Sequence, residues 1–314
     1  MTATLPAPGA VAPARRRLGL LTLATAVAPV TWGTTYVVTT EWLPPDRPLL
    51  AATVRALPAG LLLVAVGRRL PHGAWWAKAA VLGVLNIGAF FALLFVAAYR
   101  LPGGIAAVLG AAQPLLVAVL AVPLLGERLR GRTLLLGLLG VAGVALIVVT
   151  GPVALDPIGL LAGLAGTACM GTGVVLTKRW GRPVPVLAFT GWQLAAGGLA
   201  LLPLALALEG LPATPTAGQA GGLLYLATVN TALAYALWLR GVGLLPTGRV
   251  TFLGLLSPVV AAAAGWLLLG ESLVPLQLAG TALALGTVVL AQRPAGPQSK
   301  RTMPRMLWPA RMSR

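Results

Sequence analysis

Few side chains in this 314-residue chain can do chemistry, and most of those stand inside long apolar runs. Asn86 and Asn230 each occupy the middle of such a run, 144 residues apart. A carboxamide offers donors and an acceptor together, which suits a zwitterion or an amide. The plainer alternative is hydrogen bonding between helices, worth about 0.6–2 kcal/mol in a bilayer. Arg55 is the one charge well inside an apolar run, about 10 Å from its nearer end at 1.5 Å per helical residue. A cation at that depth is costly, so a place on a substrate pathway is the default reading; snorkelling to the headgroups is the competing one. Gln113 and Ser257 directly precede Pro114 and Pro258. A mid-helix proline removes the bond to the carbonyl four residues back, here that of Gly110 or Gly254, so each helix is expected to kink and to turn a carbonyl towards a cavity. Trp32, Thr34, Thr35 and Tyr235 complete the candidate binding set, with Phe90 and Phe91 as an apolar wall.

This chemistry is binding rather than catalysis. The chain has one histidine, His72, one cysteine, Cys169, and six scattered carboxylates. Their spacing forms no acid–base pair, activated nucleophile or metal-ligand set. No catalytic residue, metal or cofactor is expected, and no GxxxxGK[ST] loop is present to drive a pump with ATP. Glu127 and Glu271 follow Gly126 and Gly270. Glycine can take the left-handed conformation that ends a helix, and a carboxylate next to the following helix N-terminus is stabilised there, so a structural role is expected for both.

The elements that must position these residues follow from composition. The chain is 58% hydrophobic and 9% charged, against about 25% charged in soluble domains. It must be solvated by lipid. A spanning helix needs about 20 apolar residues, and ten runs qualify, at roughly 18–40, 49–67, 75–98, 103–124, 133–150, 158–178, 186–207, 218–239, 247–269 and 275–291. Helices are required because backbone amides in hydrocarbon must be satisfied within the segment. The fold class is an all-α integral membrane protein. Residues 1–17 and 292–314 read as basic, unstructured cytoplasmic tails. A signal peptide is disfavoured because the first apolar run continues well past the small-residue triplet at Ala26 to Ala28.

With the N-terminus inside, the cytoplasmic segments receive Arg15 to Arg17, Arg68, Arg69, Lys78, Arg128, Arg130, Arg132, Lys178, Arg179, Arg182, Arg240, Arg249 and the tail residues. The outer side receives only Arg47 and Arg100. This positive-inside bias supports ten spans with both termini cytoplasmic. Basic loops against anionic headgroups account for the net charge of +17, so no nucleic-acid partner is implied.

The chain is duplicated. Residues 102–129 align without a gap on 246–273, pairing Pro102 with Pro246, Gly110 with Gly254, Pro114 with Pro258 and Gly126-Glu127 with Gly270-Glu271. Trp32 to Val38 resembles Met170 to Leu176, and Pro48 to Thr53 resembles Pro185 to Thr190. The repeats run over 18–150 and 158–291. Each holds five spans, and an odd number means that the second enters the membrane upside down. Inverted repeats are the architecture of many secondary transporters, with the site near the midplane between the repeats.

Paired halves ending in Leu-Leu-Gly-Glu (124–127 and 268–271), with Trp32-Gly33, Arg55 and Leu256-Ser257-Pro258-Val259, resemble the two EamA domains of the drug/metabolite transporter superfamily. The resemblance covers about Trp32 to Leu290. It implies a ten-helix carrier in the inner membrane of a bacterium, exporting a small metabolite, amino acid or toxic compound. It also implies a central cavity lined mainly by the first, third and fourth helices of each half. The expected partners are a small-molecule substrate and the bilayer, and a homo-oligomer is compatible with both. A nucleotide-sugar carrier, or a flippase for a lipid-linked substrate, would share the fold.

Overall fold

A computed structural model of the protein describes residues 8–43, 47–100, 105–148, 156–210, 214–270 and 274–293. Among the described residues, ten helices are long and apolar enough to cross a membrane: α1 Arg17–Thr39, α2 Pro48–Gly67, α3 Trp75–Leu94, α4 Ala107–Leu125, α5 Gly131–Val148, α6 Pro157–Trp180, α7 Val186–Glu209, α8 Ala217–Leu244, α9 Thr247–Leu268 and α10 Pro275–Gln292. The all-helical, ten-span architecture expected from the apolar runs is what the chain adopts. One boundary differs. The helix that holds α1 begins at Pro8, inside the segment expected to be an unstructured tail. Proline suits a first helical position, and Ala10, Ala12 and Ala14 are strong helix formers, so the helix extends beyond the lipid-spanning part.

Leucines cover the outside. Leu61, Leu62, Leu135, Leu138, Leu161 and Leu267 are all more than half exposed, as lipid contact requires. The interior is built instead on close backbone approach. A Cβ placed on Gly198 of α7 would stand 2.7 Å from the Leu57 amide nitrogen of α2, and one on Gly143 of α5 would stand 2.8 Å from that of Ala284 in α10. Lipid tails are as apolar as the helix surfaces, so packing between small residues is what holds such crossings together. Both crossings join helices from different halves of the sequence.

Polar groups fix the helix ends. Glu209, ending α7, accepts from the Leu49 and Leu50 amides at the start of α2, each at 2.7 Å, where a carboxylate meets the positive end of a helix. Asp156 caps α6 by accepting from the Gly159 amide at 2.7 Å and pairs with Arg100 at 3.5 Å. Gly126 and Gly270 end α4 and the helix of α9 in the left-handed conformation, with φ of 68° and 69°, as their Gly-Glu sequence leads one to expect. Pro102 and Glu271 lie outside the described residues.

Five interruptions lie inside the spans, four of them in two pairs. α3 contains a π-turn at Val84–Gly88 and α8 one at Thr228–Leu233. α4 breaks at Ala112, and α9 breaks at Gly254 and Leu255. α1 breaks at Thr34 as well. π-turns and mid-helix breaks free backbone groups from the regular ladder and concentrate at functional sites. These interruptions fall where the polar residues are.

Candidate substrate cavity

A hollow of about 440 Å³ opens between α1, α2, α3, α4, α6, α8 and α9. This matches the lining implied by the family resemblance, with Arg55 of α2 added. Gln113, Pro114, Gly110, Gly254, Ser257 and Pro258 all border it, so the breaks in α4 and α9 face one another across the space. The Gln113 Oε1 lies 3.8 Å from where a Gly254 Cβ would stand. One expectation fails at the second break. The Gly254 carbonyl is not left free, because Ser257 donates its amide to it at 3.1 Å. The broken turn tightens and satisfies the group that Pro258 cannot.

Arg55 is 7% exposed. Its Nε donates to Thr231 Oγ1 at 2.9 Å, and its Nη2 donates to Asn230 Oδ1 at 2.6 Å. The guanidinium carbon lies 4.7 Å from the centroid of the Phe91 ring, within cation–π range. The charge is therefore buried, oriented and held by neutral groups.

Asn230 does the holding. It is fully buried and its side chain is committed on both sides. Nδ2 donates to the Thr31 carbonyl at 2.5 Å, and Oδ1 accepts from Thr35 Oγ1 at 3.3 Å as well as from Arg55. The backbone carbonyl of Asn230 accepts from Trp32 Nε1 at 3.1 Å. The π-turn of α8 thus ties α1 and α2 together beneath the cavity wall. Trp32 packs between Tyr235 and Trp238, with ring centroids at 5.2 and 5.3 Å, and Trp32, Thr35 and Tyr235 reach the cavity.

Three candidate residues do not line the cavity. Asn230 stands behind its wall, reaching it through Arg55. Asn86 does not face it either. It is 2% exposed and donates through Nδ2 to Gln193 Oε1 at 2.7 Å, with a longer bond of 3.5 Å to Thr177. A Cβ on Gly173 would collide with its carboxamide, so α6 seals it off. Each π-turn asparagine pairs with a polar residue on the second helix of the opposite half. Asn230 takes Arg55, which lines the cavity, whereas Asn86 takes Gln193 and is closed in. Thr34 also turns away. At the break in α1 its hydroxyl lies 2.7 Å from the Tyr225 hydroxyl and donates to Thr31 O at 2.7 Å.

This division carries a prediction. Asn86→Leu leaves the Gln193 amide unpartnered, which costs about 1–3 kcal/mol of stability, so the amount of folded protein falls while transport per folded molecule holds. Asn230→Leu removes the support of Arg55, so transport falls further than folded protein does. Transport rate and melting temperature of both variants decide it, and equal behaviour of the two would refute the division.

The residues missed from sequence include Thr251 of α9 and, most of all, a face of α6 and the end of α8. Gly163, Gly166 and Met170 line the cavity along one face of α6, and their i, i+3 and i+7 spacing is a signal legible in the sequence. Trp238, one turn beyond Tyr235, lines it too.

A second hollow, of about 520 Å³, lies among the arginine-rich ends of the helices, bordered by Arg128, Arg130, Arg132, Arg249 and Arg293. Pro114 and Thr251 border both hollows. Near the second hollow the helix ends are tied together. Thr247 donates to Glu127 Oε1 at 2.6 Å, and Lys178 donates to the Leu245 carbonyl at 2.6 Å.

Comparisons with known proteins bear on the fold and the family. The chain is 44% identical over 267 residues to Protein PecM of Dickeya dadantii, a match covering 84% of this chain and 90% of PecM. It is 30% identical over 255 residues to the "Probable terminal-alkyne amino-acid exporter" of Streptantibioticus cattleyicolor, covering 79% of this chain and 82% of that one. A crystal structure of a protein 22% identical in sequence has the same fold, with a TM-score of 0.75 over 86% of this chain and 97% of that chain. The model of the EamA-like transporter family matches residues 18–149 and again 157–292. The chain belongs to the EamA-like transporter family, as a multi-pass membrane protein of ten helices.

Proposed function

We propose that the protein is a secondary transporter that exports a small metabolite, amino acid or toxic compound across the plasma membrane of a bacterium by alternating access. The observation that carries this reading is the interhelical cavity with a buried, oriented arginine at its wall. The naming of one relative as a probable amino-acid exporter supports the direction. The two halves stand as inverted repeats with both termini in the cytoplasm, a reading that rests on five spans per half and on the positive-inside bias. The second hollow is then the cytoplasmic vestibule, shut from the cavity at Pro114 and Thr251. The tie between Glu127 and Thr247 holds the ends of α4 and α9 together in this closed state.

Coupling follows from the lining. Among the described residues that border the cavity there is no Asp, Glu or His, and a proton-driven carrier needs an ionisable group on its path. The reading favoured is export down the substrate gradient, with coupling through one of the helix-end glutamates as the alternative. The test is uptake of a radiolabelled amino-acid and metabolite panel into liposomes containing the purified protein, with and without an imposed pH gradient. The expected result is equilibration at a rate indifferent to the pH gradient. Uphill accumulation that a protonophore abolishes would contradict it, and Glu127→Gln would then show whether the vestibule carboxylate carries the proton.

A further inference from the structure

We infer that the transported compound is an organic monoanion with an apolar body, held by its carboxylate or a similar acceptor group at Arg55. The inference rests on the reading of the cavity as the transport site and adds the chemical class of what enters it.

Three observations converge. The first is an unanswered charge. Arg55 is the only charged residue among those described as bordering the cavity, and its two hydrogen bonds go to a hydroxyl and a carboxamide. Those bonds use two of the five N–H groups of a guanidinium. A buried cation that lacks an anion is costly, so the vacant side of the fork is where a negative group gains most, in the two-pronged geometry that arginine offers a carboxylate.

The second is the sign of the remaining hydrogen-bonding capacity. Gln113 Nε2 and Trp238 Nε1 are buried atoms with no partner among the described residues, and both residues border the cavity. Each is a donor. A ligand rich in acceptors suits a wall whose unpartnered groups are donors, and a carboxylate is acceptor-only when ionised.

The third is what the rest of the wall excludes. Phe90, Phe91, Leu94 and Met170 face the same space, so the body of the ligand is apolar. No carboxylate is there to receive an ammonium group among the described lining residues. The Trp32–Tyr235–Trp238 stack could attract a cation by its ring faces, but Arg55 repels one. A diphosphate brings more negative charge than one guanidinium balances, which weighs against a nucleotide sugar.

The experiment uses matched ligands that share a body and differ in charge: indole-3-acetate, indole-3-acetamide and tryptamine, with phenylacetate, phenylacetamide and phenethylamine as the second series. Dissociation constants are measured on the purified full-length protein, wild type, Arg55→Lys and Arg55→Gln. We expect each carboxylate to bind at least about tenfold more tightly than its amide, and the amine most weakly. Arg55→Gln removes the preference, and Arg55→Lys, a control for folding and charge, keeps part of it. An amide or amine that equals its carboxylate overturns the inference. So does a panel in which no carboxylate binds, or a preference that survives Arg55→Gln. A Gly110→Cys variant on a Cys169→Ala background, blocked with a maleimide, separates the two levels of the argument. If the carboxylate preference persists unchanged after the block, the cavity is not the site, and the proposed function fails at that point rather than the charge class.

Discussion

Arg55→Gln is expected to cut transport about a hundredfold while shifting the melting temperature by no more than a few degrees. The two halves of that expectation have different causes. A hundredfold loss corresponds to about 2.7 kcal/mol, within reach of one lost charge-assisted hydrogen bond at about 1.5–3 kcal/mol. Stability is protected because the variant also removes a buried cation from an apolar setting, and replacing a buried ion by a neutral group is often neutral or stabilising. Asn230 keeps its bonds to Thr31 and Thr35, so the join between α1 and α8 survives. Arg55→Lys is expected to retain an intermediate rate, because a lysine supplies the charge without the planar fork. Transport into liposomes and thermal unfolding of the same preparations check this. A large loss of melting temperature with transport lost in proportion would reduce Arg55 to a packing residue.

The ten spans are legible in the sequence because lipid leaves the backbone little choice. About 20 apolar residues must lie together for each crossing, and the duplication at a constant interval pairs Pro114 with Pro258 without reference to any coordinate. The same pairing locates the cavity-facing breaks, and it puts Gln113 and Ser257 beside them. Side-chain direction is what the sequence does not carry. Asn86 and Asn230 occupy equivalent places in the two repeats, yet one supports the cavity wall and the other is sealed behind Gly173. A sequence repeat carries over the position of a residue and its backbone turn, but not what stands across from it. Arg55 faces one asparagine and Gln193 the other, and that exchange alone makes the site one-sided. The π-turns themselves leave no mark in the apolar pattern, and without them the rotation of the helices beyond residues 88 and 233 cannot be assigned. Thr34 escapes prediction for a related reason, because the break in α1 falls on the threonine itself.

The cavity can be blocked from a position whose own packing is open. Gly110 borders it, and nothing among the described residues lies within 4 Å of where its Cβ would stand. Gly198, by contrast, has the Leu57 backbone within 2.7 Å of that position, so a side chain there would part α2 from α7. Gly110→Cys should therefore fold with an unchanged melting temperature, and a thiol reagent attached to it would project into the path between α4 and α9. Cys169→Ala removes the chain's only native thiol. The most direct test of the cavity as the transport path is the transport rate of Gly110→Cys/Cys169→Ala in liposomes, measured as a function of the fraction of the introduced thiol modified by a bulky maleimide, read by mass spectrometry. The expected result is a rate that falls in step with modification to zero, with the melting temperature unmoved and with transported substrate slowing the modification. Transport at the full rate in completely modified protein would contradict it.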